Sequence, residues 1–244
     1  MAINIFSVQN DLEEKGWQLV STEYVNLSSP LKMICPRGHD VEDSYGHWRK
    51  YCICEKCMGG KGSHIKKEIP LKTDGVYRIL ALDAATVTTG FSVYDNNELV
   101  SYGTFHANAD LDTTERINKV RKWLMNLIDE HCIDEIVLEQ IQLQSFNGNP
   151  NSPQVQVFQT LANLQGVILD TAFELDIPCE LIYSSTWRHV CGITEGRTRE
   201  EKKKAAQVHV KSWYGLDVTQ DEADAICLGK CRTRQPKKKI IWGE

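Results

Sequence analysis

The segment YRILALDAATVTTGFSVYDNNELVSYGTFHA (residues 77–107) contains three strand-like stretches separated by turn residues. YRILALDAAT is apolar, whereas TGFSVYDN and ELVSYGTFHA alternate apolar with polar side chains. The residues DNNE between the second and third stretches favour a tight reversal of the chain. The segment therefore predicts three consecutive antiparallel strands, a meander.

Helical and strand patterns alternate after the meander. In TERINKVRKWLMNLIDEH (residues 114–131), apolar side chains recur at helical spacing. The later elements are a strand DEIVLEQ, a helix through VFQTLANLQGVILDTAFEL, a strand CELIYS, and helices around REEKKKAAQVHVKSWYG and DEADAICLGKC. Three strands followed by alternating helices and strands predict an α/β domain over residues 77–235, a mixed sheet flanked by helices. This order is the ribonuclease H-like arrangement.

The composition is that of a soluble globular protein, with 41% hydrophobic and 25% charged residues in a chain of 244. No apolar run approaches the roughly 18 to 20 residues that cross a bilayer, and the first residues do not resemble a signal peptide. We expect a cytoplasmic protein whose nine cysteines are thiols or metal ligands. Although the net charge is −5, residues 236–244 form a basic tail, which indicates either an anionic partner or a solvated end.

A Cys/His pattern near the amino terminus predicts a zinc site. Cys35 and His39 form one close pair, and Cys54 and Cys57 form a second after a spacer of 14 residues. Cys52 and His47 are alternatives for one of the four ligands. Four protein ligands leave no open position, so the zinc would be structural, supplying folding energy to a segment too short for a core of its own.

The pattern CPRGH followed by CEKC resembles treble-clef zinc fingers. In that group the finger usually binds nucleic acid, and the basic residues of this segment are compatible with phosphate contacts; whether it contacts DNA stays open. We assign residues 1–66 to this domain and the start of the linker, and residues 67–76 to the rest of the linker.

Two acidic residues end apolar strands. Asp83 closes ILALD and Glu139 closes IVLE, where a charge is costly unless it is paired or binds a metal ion. A single acid at a strand end is also a common turn former, so neither residue decides the matter alone. Since the first and fourth strands of such a sheet lie side by side, the two carboxylates are expected to meet.

The stretch DVTQDEADAICLG (residues 217–229) places three acids at the start of an apolar helix. They have two interpretations, a helix cap that complements the helix dipole and a metal-binding pair. Asp221 and Asp224 lie three residues apart on one helix face, whereas Glu222 points away. With Asp83 and Glu139 they would form a cluster of four carboxylates, which divalent cations would neutralise.

Five segments carry a resemblance to the RuvC family of Holliday-junction resolvases, in particular its phage-type branch: LALDAATVTTGFSVYD, IVLEQ, LANLQGVIL, WRHVCG and DEADAICLG. The resemblance covers about Tyr77 to Arg232. It implies an endonuclease acting on branched DNA, with a catalytic, metal-binding set of Asp83, Glu139, Asp221 and Asp224. It further implies two Mg²⁺ (or Mn²⁺) ions per active site and a homodimer that makes paired nicks, with a role in recombination, repair or the clearing of branches before genome packaging.

Basic and aromatic residues supply candidate DNA contacts. Phosphate contacts are expected from Arg188, Arg197, Arg199, Lys202 and Lys203, although a solvated helix face accounts equally well for the lysines. The family's aromatic wedge falls here on Gln142, and the nearest aromatic substitute is Phe146.

Three other functions fit parts of the sequence. A nuclease that prefers flaps or forks shares the same residues. An actin-like ATPase also has an acid at the end of its first strand, but no second phosphate loop is evident. A DNA-binding protein without catalysis would not need all four acids.

Overall fold

The structure, a computed structural model, describes residues 3–36, 38–52, 54, 62–143, 149, 152–196 and 198–235. The side chains of residues 51, 62–64, 199 and 203 are not described. The chain divides into two units, Met1–Gly62 and Ser63–Glu244. In the described residues, no helix has the length and apolar character needed to cross a membrane.

The smaller unit packs two helices on a three-stranded antiparallel sheet. Its elements are α1 (Ile5–Glu14), β1 (Gln18–Leu19), β2 (Pro30–Ile34), β3 (Asp40–Ser44) and α2 (Tyr45–Tyr51). Val8, Leu12, Met33 and Trp48 are at most 1% exposed, and Trp17 packs edge-on against Trp48. This unit therefore has an apolar core, contrary to the expectation that it would be too short for one, because α1 and β1, which were not predicted, supply the additional apolar side chains.

The larger unit consists of six strands and five helices in its described residues. The strands are β4 (Gly62–Ile65), β5 (Arg78–Asp83), β6 (Thr88–Asp95), β7 (Glu98–His106), β8 (Glu135–Gln140) and β9 (Cys179–Tyr183). The helices are α3 (Thr113–His131), α4 (Pro153–Glu174), α5 (Ser184–Val190), α6 (Arg199–Tyr214) and α7 (Gln220–Thr233).

The strands form one mixed sheet in the order β4-β7-β6-β5-β8-β9. The antiparallel meander β5–β7 and the parallel neighbours β5 and β8 are both as predicted. Strand β4 was not predicted; it extends the sheet beyond β7 and lies where the sequence had suggested the start of a linker. The fold class, a mixed sheet flanked by helices, is confirmed.

Helix α3 covers one part of the sheet with the apolar face seen in the sequence. Trp123 stacks on Phe105 of β7, with ring centroids 4.8 Å apart, and Leu124 is fully buried. This face belongs to the core, so it is not available as a dimer interface.

Helix α7 packs on β6, with almost no space between them. A Cβ added at Gly229 of α7 would lie 2.5 Å from the ring of Tyr94. Ser92 and Tyr94 of β6 donate hydrogen bonds to the carbonyl oxygens of Ala225 and Ile226, at 2.8 and 2.9 Å. The side chains of β6 therefore hold α7 along its length.

A buried ion pair holds the carboxyl end of α7. The guanidinium of Arg232 donates to both carboxylate oxygens of Glu135, at 2.6 and 3.2 Å, and both side chains are almost fully buried. Glu135 begins β8, so the pair connects α7 to the strand that also carries Glu139. Such a pair favours one placement of the helix, since breaking it would leave a charge buried.

Candidate active site

Four acidic side chains, Asp83, Glu139, Asp221 and Asp224, line one cavity of the larger unit, about 810 Å³ in volume. They come from β5, β8 and the first turns of α7. The sequence had placed these residues in one cluster, and the structure brings them to one cavity.

The parallel pairing of β5 and β8 accounts for the first two acids. Leu82 is opposite Leu138 in the register, so the residues that follow, Asp83 and Glu139, reach the same edge of the sheet. Parallel strands end at a common edge, where side chains are free to project beyond the packed core. Both side chains are partly exposed there.

A glycine on the neighbouring strand allows the third acid to approach. Gly90 of β6 is opposite Asp83 in the register, and a Cβ added to Gly90 would overlap the carbonyl oxygen of Asp221. The first turn of α7 can therefore lie against β6 beside Asp83 only because residue 90 has no side chain.

The acidic turn contains one capping residue and two residues that line the cavity. Glu222 completes a capping box with Thr219, whose backbone N–H donates to its Oε2 at 2.8 Å. Glu222 is buried and does not line the cavity, whereas Asp221 and Asp224 do. The cap fixes the helix start, and with it the directions of the other two carboxylates.

Helix α5, which the sequence analysis did not predict, contacts two of the acids. The indole N–H of the fully buried Trp187 donates to Oε2 of Glu139 at 2.9 Å. The neighbouring Arg188 is 3.5 Å from Oδ1 of Asp224, and its guanidinium lies 4.2 Å from the centre of the Trp187 ring. A buried indole needs a hydrogen-bond acceptor, which is the signal in WRHV that could have indicated this contact.

Two of the predicted DNA-contacting residues, Arg188 and Lys202, line the same cavity. They are also joined, because Arg188 donates to the carbonyl oxygen of Lys202 at 2.9 Å. Arg199 and Lys203 lie on α6, but their side chains are outside the described part. Phe146 and Arg197 are outside the described residues altogether.

Three cysteines of α7 and the end of α5 belong to the core. Burial raises the pKa of the Cys191 thiol to about 11 and that of the Cys231 thiol to about 12. Burial likewise raises the pKa of Cys227, and the nearby Asp224 adds to the effect. These thiols are protonated at neutral pH, so they do not compete with the carboxylates for a hard cation.

The smaller unit holds a second candidate metal site. The ligand atoms of Cys35, His39 and Cys54 all lie within 4.8 Å of one another. The N–H of Gly38, in the left-handed region at φ 81°, donates to the carbonyl oxygen of Cys35, and the N–H of His39 donates to the Cys35 sulfur at 3.3 Å. This tight turn delivers a thiol and an imidazole to one point.

The other candidate zinc ligands lie either outside the described residues or outside the described cluster. The predicted ligand Cys57 lies outside the described residues. His47, one alternative ligand, contacts Asp43 at 2.6 Å, and neither His47 nor Cys52 belongs to the described cluster.

The two sites differ in ligand type and spacing. In the part of the chain that is described, the four carboxylates do not form a group as tight as the Cys/His cluster; they surround a wider space. Carboxylate oxygens suit Mg²⁺ or Mn²⁺, which retain water ligands, whereas two thiols and an imidazole suit Zn²⁺.

Two known proteins with similar sequences are named as junction endonucleases. The crossover junction endodeoxyribonuclease RuvC of Syntrophomonas wolfei is 29% identical over 161 residues, which cover 63% of this chain and 87% of that protein. The protein of the same name from Ehrlichia ruminantium is 26% identical over 161 residues, covering 61% and 94% of the two chains. No protein-family model matches the chain.

The fold agrees with the sequence similarity. Thermus thermophilus RuvC, solved in complex with a Holliday junction substrate, superposes with a TM-score of 0.50 at 13% identity, covering 64% of this chain and 91% of that one. This chain is similar to RuvC in sequence and in fold. The four acids line one cavity of this fold, while the phage-type assignment and the zinc finger remain predictions.

Replacing Gly90 by alanine tests whether the close approach of α7 positions Asp221. We expect Gly90→Ala to displace the first turn of α7, lower the free energy of unfolding by about 1–3 kcal/mol, and weaken Mn²⁺ binding measured by calorimetry. Gly166→Ala is the matched control, because Gly166 lies in α4 with nothing within 4 Å of an added Cβ. Equal metal affinity in both variants would contradict this role for Gly90.

Replacing Trp187 by phenylalanine removes the N–H that Glu139 accepts while keeping an aromatic ring in the core. We expect Mn²⁺ affinity to fall by about 10-fold or more, as for other groups that orient metal ligands. Calorimetry without DNA measures the affinity, and Trp213→Phe on α6 is the control. An unchanged affinity in Trp187→Phe would show that Glu139 needs no such support.

Proposed function

We propose that the protein is a metal-dependent endonuclease that resolves Holliday junctions and related branched DNA by paired nicks. The observation that carries the proposal is the convergence of Asp83, Glu139, Asp221 and Asp224 on one cavity of a RuvC-like fold. Its similarity to proteins named crossover junction endodeoxyribonucleases supports the same substrate class.

The four carboxylates are the groups that would hold the divalent cations. A cluster of this kind is unfavourable without counter-charge, and hard oxygen ligands suit two Mg²⁺ or Mn²⁺ ions. When bound, such ions supply the acidity that activates a water molecule and stabilises the departing 3′ oxygen. The role of the protein is to hold the carboxylates at fixed positions, and Trp187 does so for Glu139.

Arg188 and Lys202 are the groups that would bind the phosphates on either side of the scissile bond. Both line the cavity, and Lys202 is exposed. Arg188 is stacked on Trp187 and paired with Asp224, so its guanidinium is oriented before DNA arrives. Contacts to phosphate position the backbone without reading sequence, which fits recognition of DNA by its shape.

Cutting two opposed strands of a junction needs two active sites. The larger unit has one such cavity in its described residues, so paired nicks imply a homodimer. The apolar face of α3 is excluded as the interface because it is buried in the core.

The smaller unit would bind one structural Zn²⁺ through Cys35, His39, Cys54 and Cys57. Three of these ligands are gathered within 4.8 Å, and Cys57 would be the fourth ligand of a tetrahedral set. Because the unit also has an apolar core, zinc would add to its stability. We infer that this unit contributes to DNA binding.

The zinc proposal predicts the metal content of two serine variants. Cys35→Ser should bind much less than the roughly one zinc ion per chain of the unmodified protein, because three ligands hold zinc far less tightly than four. Cys132→Ser, which alters an exposed cysteine of the larger unit, should keep its zinc. Atomic absorption after dialysis gives the content, and equal zinc in both variants would remove Cys35 from the site.

Cleavage of a labelled four-way junction tests the catalytic proposal. We expect paired nicks near the crossover in Mg²⁺ and none in EDTA. Asp83→Asn should cut at least about 100-fold more slowly, because lost metal ligation costs several kcal/mol of transition-state stabilisation. Asp217→Asn, which alters an exposed carboxylate, should cut normally.

Linear duplex, flap and fork substrates of the same sequence complete the experiment. Faster cutting of flaps or forks would support the nuclease activity and would make flaps or forks, rather than junctions, its preferred substrate. Tight junction binding without any cutting in Mg²⁺ or Mn²⁺ would instead make the protein a DNA-binding protein, and nucleotide hydrolysis without DNA would favour an ATPase.

A further inference from the structure

One wall of the carboxylate cavity is apolar. The first three turns of α4 contribute to it Pro153, Val157, Phe158 and Leu161, whose spacing puts them along one side of the helix, and Gln154 lines the cavity beside them. Ile141, just beyond β8, extends the same wall. The cavity thus has an ionic side, which contains the four acids with Arg188 and Lys202, and a side on α4 that is mostly apolar.

This wall continues the core face of α4 toward the start of the helix. Helical spacing places Val157 and Leu161 in line with Leu164 and Ile168, which are almost fully buried. In contrast, Val157 is 59% exposed, and Phe158 and Leu161 are partly exposed. The first part of this face therefore presents partly exposed apolar surface to the cavity.

Apolar side chains form neither hydrogen bonds nor ion pairs with a phosphate group. The parts of DNA that gain from contact with an aromatic ring and aliphatic chains are the faces of the bases. In continuous duplex these faces are stacked on one another, so a base reaches such a wall only where it is unpaired or leaves the stack. Stacking is interrupted at a branch point, so a base next to the strand that is cut leaves the stack there more easily than in continuous duplex.

We propose that this wall is a stacking subsite for one unpaired nucleobase adjacent to the scissile phosphate, with Phe158 as the platform. Val157 and Leu161 flank the ring and bury the edges of the base. The inference rests on the proposed nuclease function and adds to it a physical source of structure selectivity. Intact duplex can present its phosphate to the carboxylates but leaves the apolar wall in water.

Every base has an aromatic face, so this subsite would accept any of the four. It would therefore favour branched over linear DNA without strong sequence preference. The cations on the ionic side would bind the phosphate of one nucleotide, and the ring on the apolar side would bind its base. Holding both parts would orient the DNA backbone in the cavity.

The test is a thermodynamic cycle between Phe158 and the base. Junction binding is measured in an Asp83→Asn background, where DNA stays intact, with Phe158→Ala and with abasic residues placed in turn beside the cleavage site. We expect Phe158→Ala and one abasic position each to weaken binding about 5- to 100-fold, and the two together to weaken it little further. Phe158→Tyr, which keeps the ring, should bind as the background does.

Phe173→Ala is the matched control, because Phe173 is an exposed phenylalanine of the same helix that does not line the cavity. Its junction affinity should be unchanged. Additive losses in the cycle, or no loss in Phe158→Ala, would overturn the subsite. So would a change of oligomeric state in Phe158→Ala, measured by light scattering, since the wall would then be an interface between copies of the chain.

The two proposals fail in distinguishable ways. If the unmodified protein cuts junctions but the cycle shows no coupling, the nuclease stands and the stacking subsite is wrong. If coupling is present but no DNA is cut in Mg²⁺ or Mn²⁺, base binding stands and the catalytic function is wrong.

Discussion

The close packing of α7 on β6 is the constraint on which the site depends. Gly90 of β6 and Gly229 of α7 each remove a side chain at a point where no space remains, and β6 hydroxyls donate to the helix backbone between them. At these two glycines α7 and β6 are in direct contact, so the distance between helix and strand can vary little. The start of α7 therefore lies at a fixed distance from the end of β5. Asp83 and Asp221 reach one cavity for that reason.

Helix α5 adds a second level of order to the same carboxylates. Trp187 contacts Glu139 and Arg188 contacts Asp224, so one short helix orients acids carried by two different elements. The two residues also contact each other, which makes the supports of the two acids interdependent. Four carboxylates in one cavity repel one another, and such a cluster keeps its geometry only when its neighbours hold each member in place.

The cavity is asymmetric in its chemistry, and this asymmetry matches the make-up of a nucleotide. One side carries charges suited to phosphate and divalent cations, while the α4 side is apolar and suited to a base. A site that bound only the phosphodiester would not require apolar side chains such as the exposed Val157 and the partly exposed Phe158 along one wall. The smaller unit is built on a different principle, a modest apolar core beside a compact Cys/His cluster.

The sequence alone determined the order of the main elements and which four acids were expected to cluster, because strand alternation, helical spacing and charges at strand ends are local signals. It did not reveal α5, β4 or the core of the smaller unit, since short elements carry too little periodicity to be recognised. Only the tertiary structure decided that Trp187 supports Glu139, that Gly90 admits Asp221, and that Phe158 shares their cavity. Those contacts join residues far apart in the chain, and a local sequence pattern does not specify packing distances of a few ångströms between such residues.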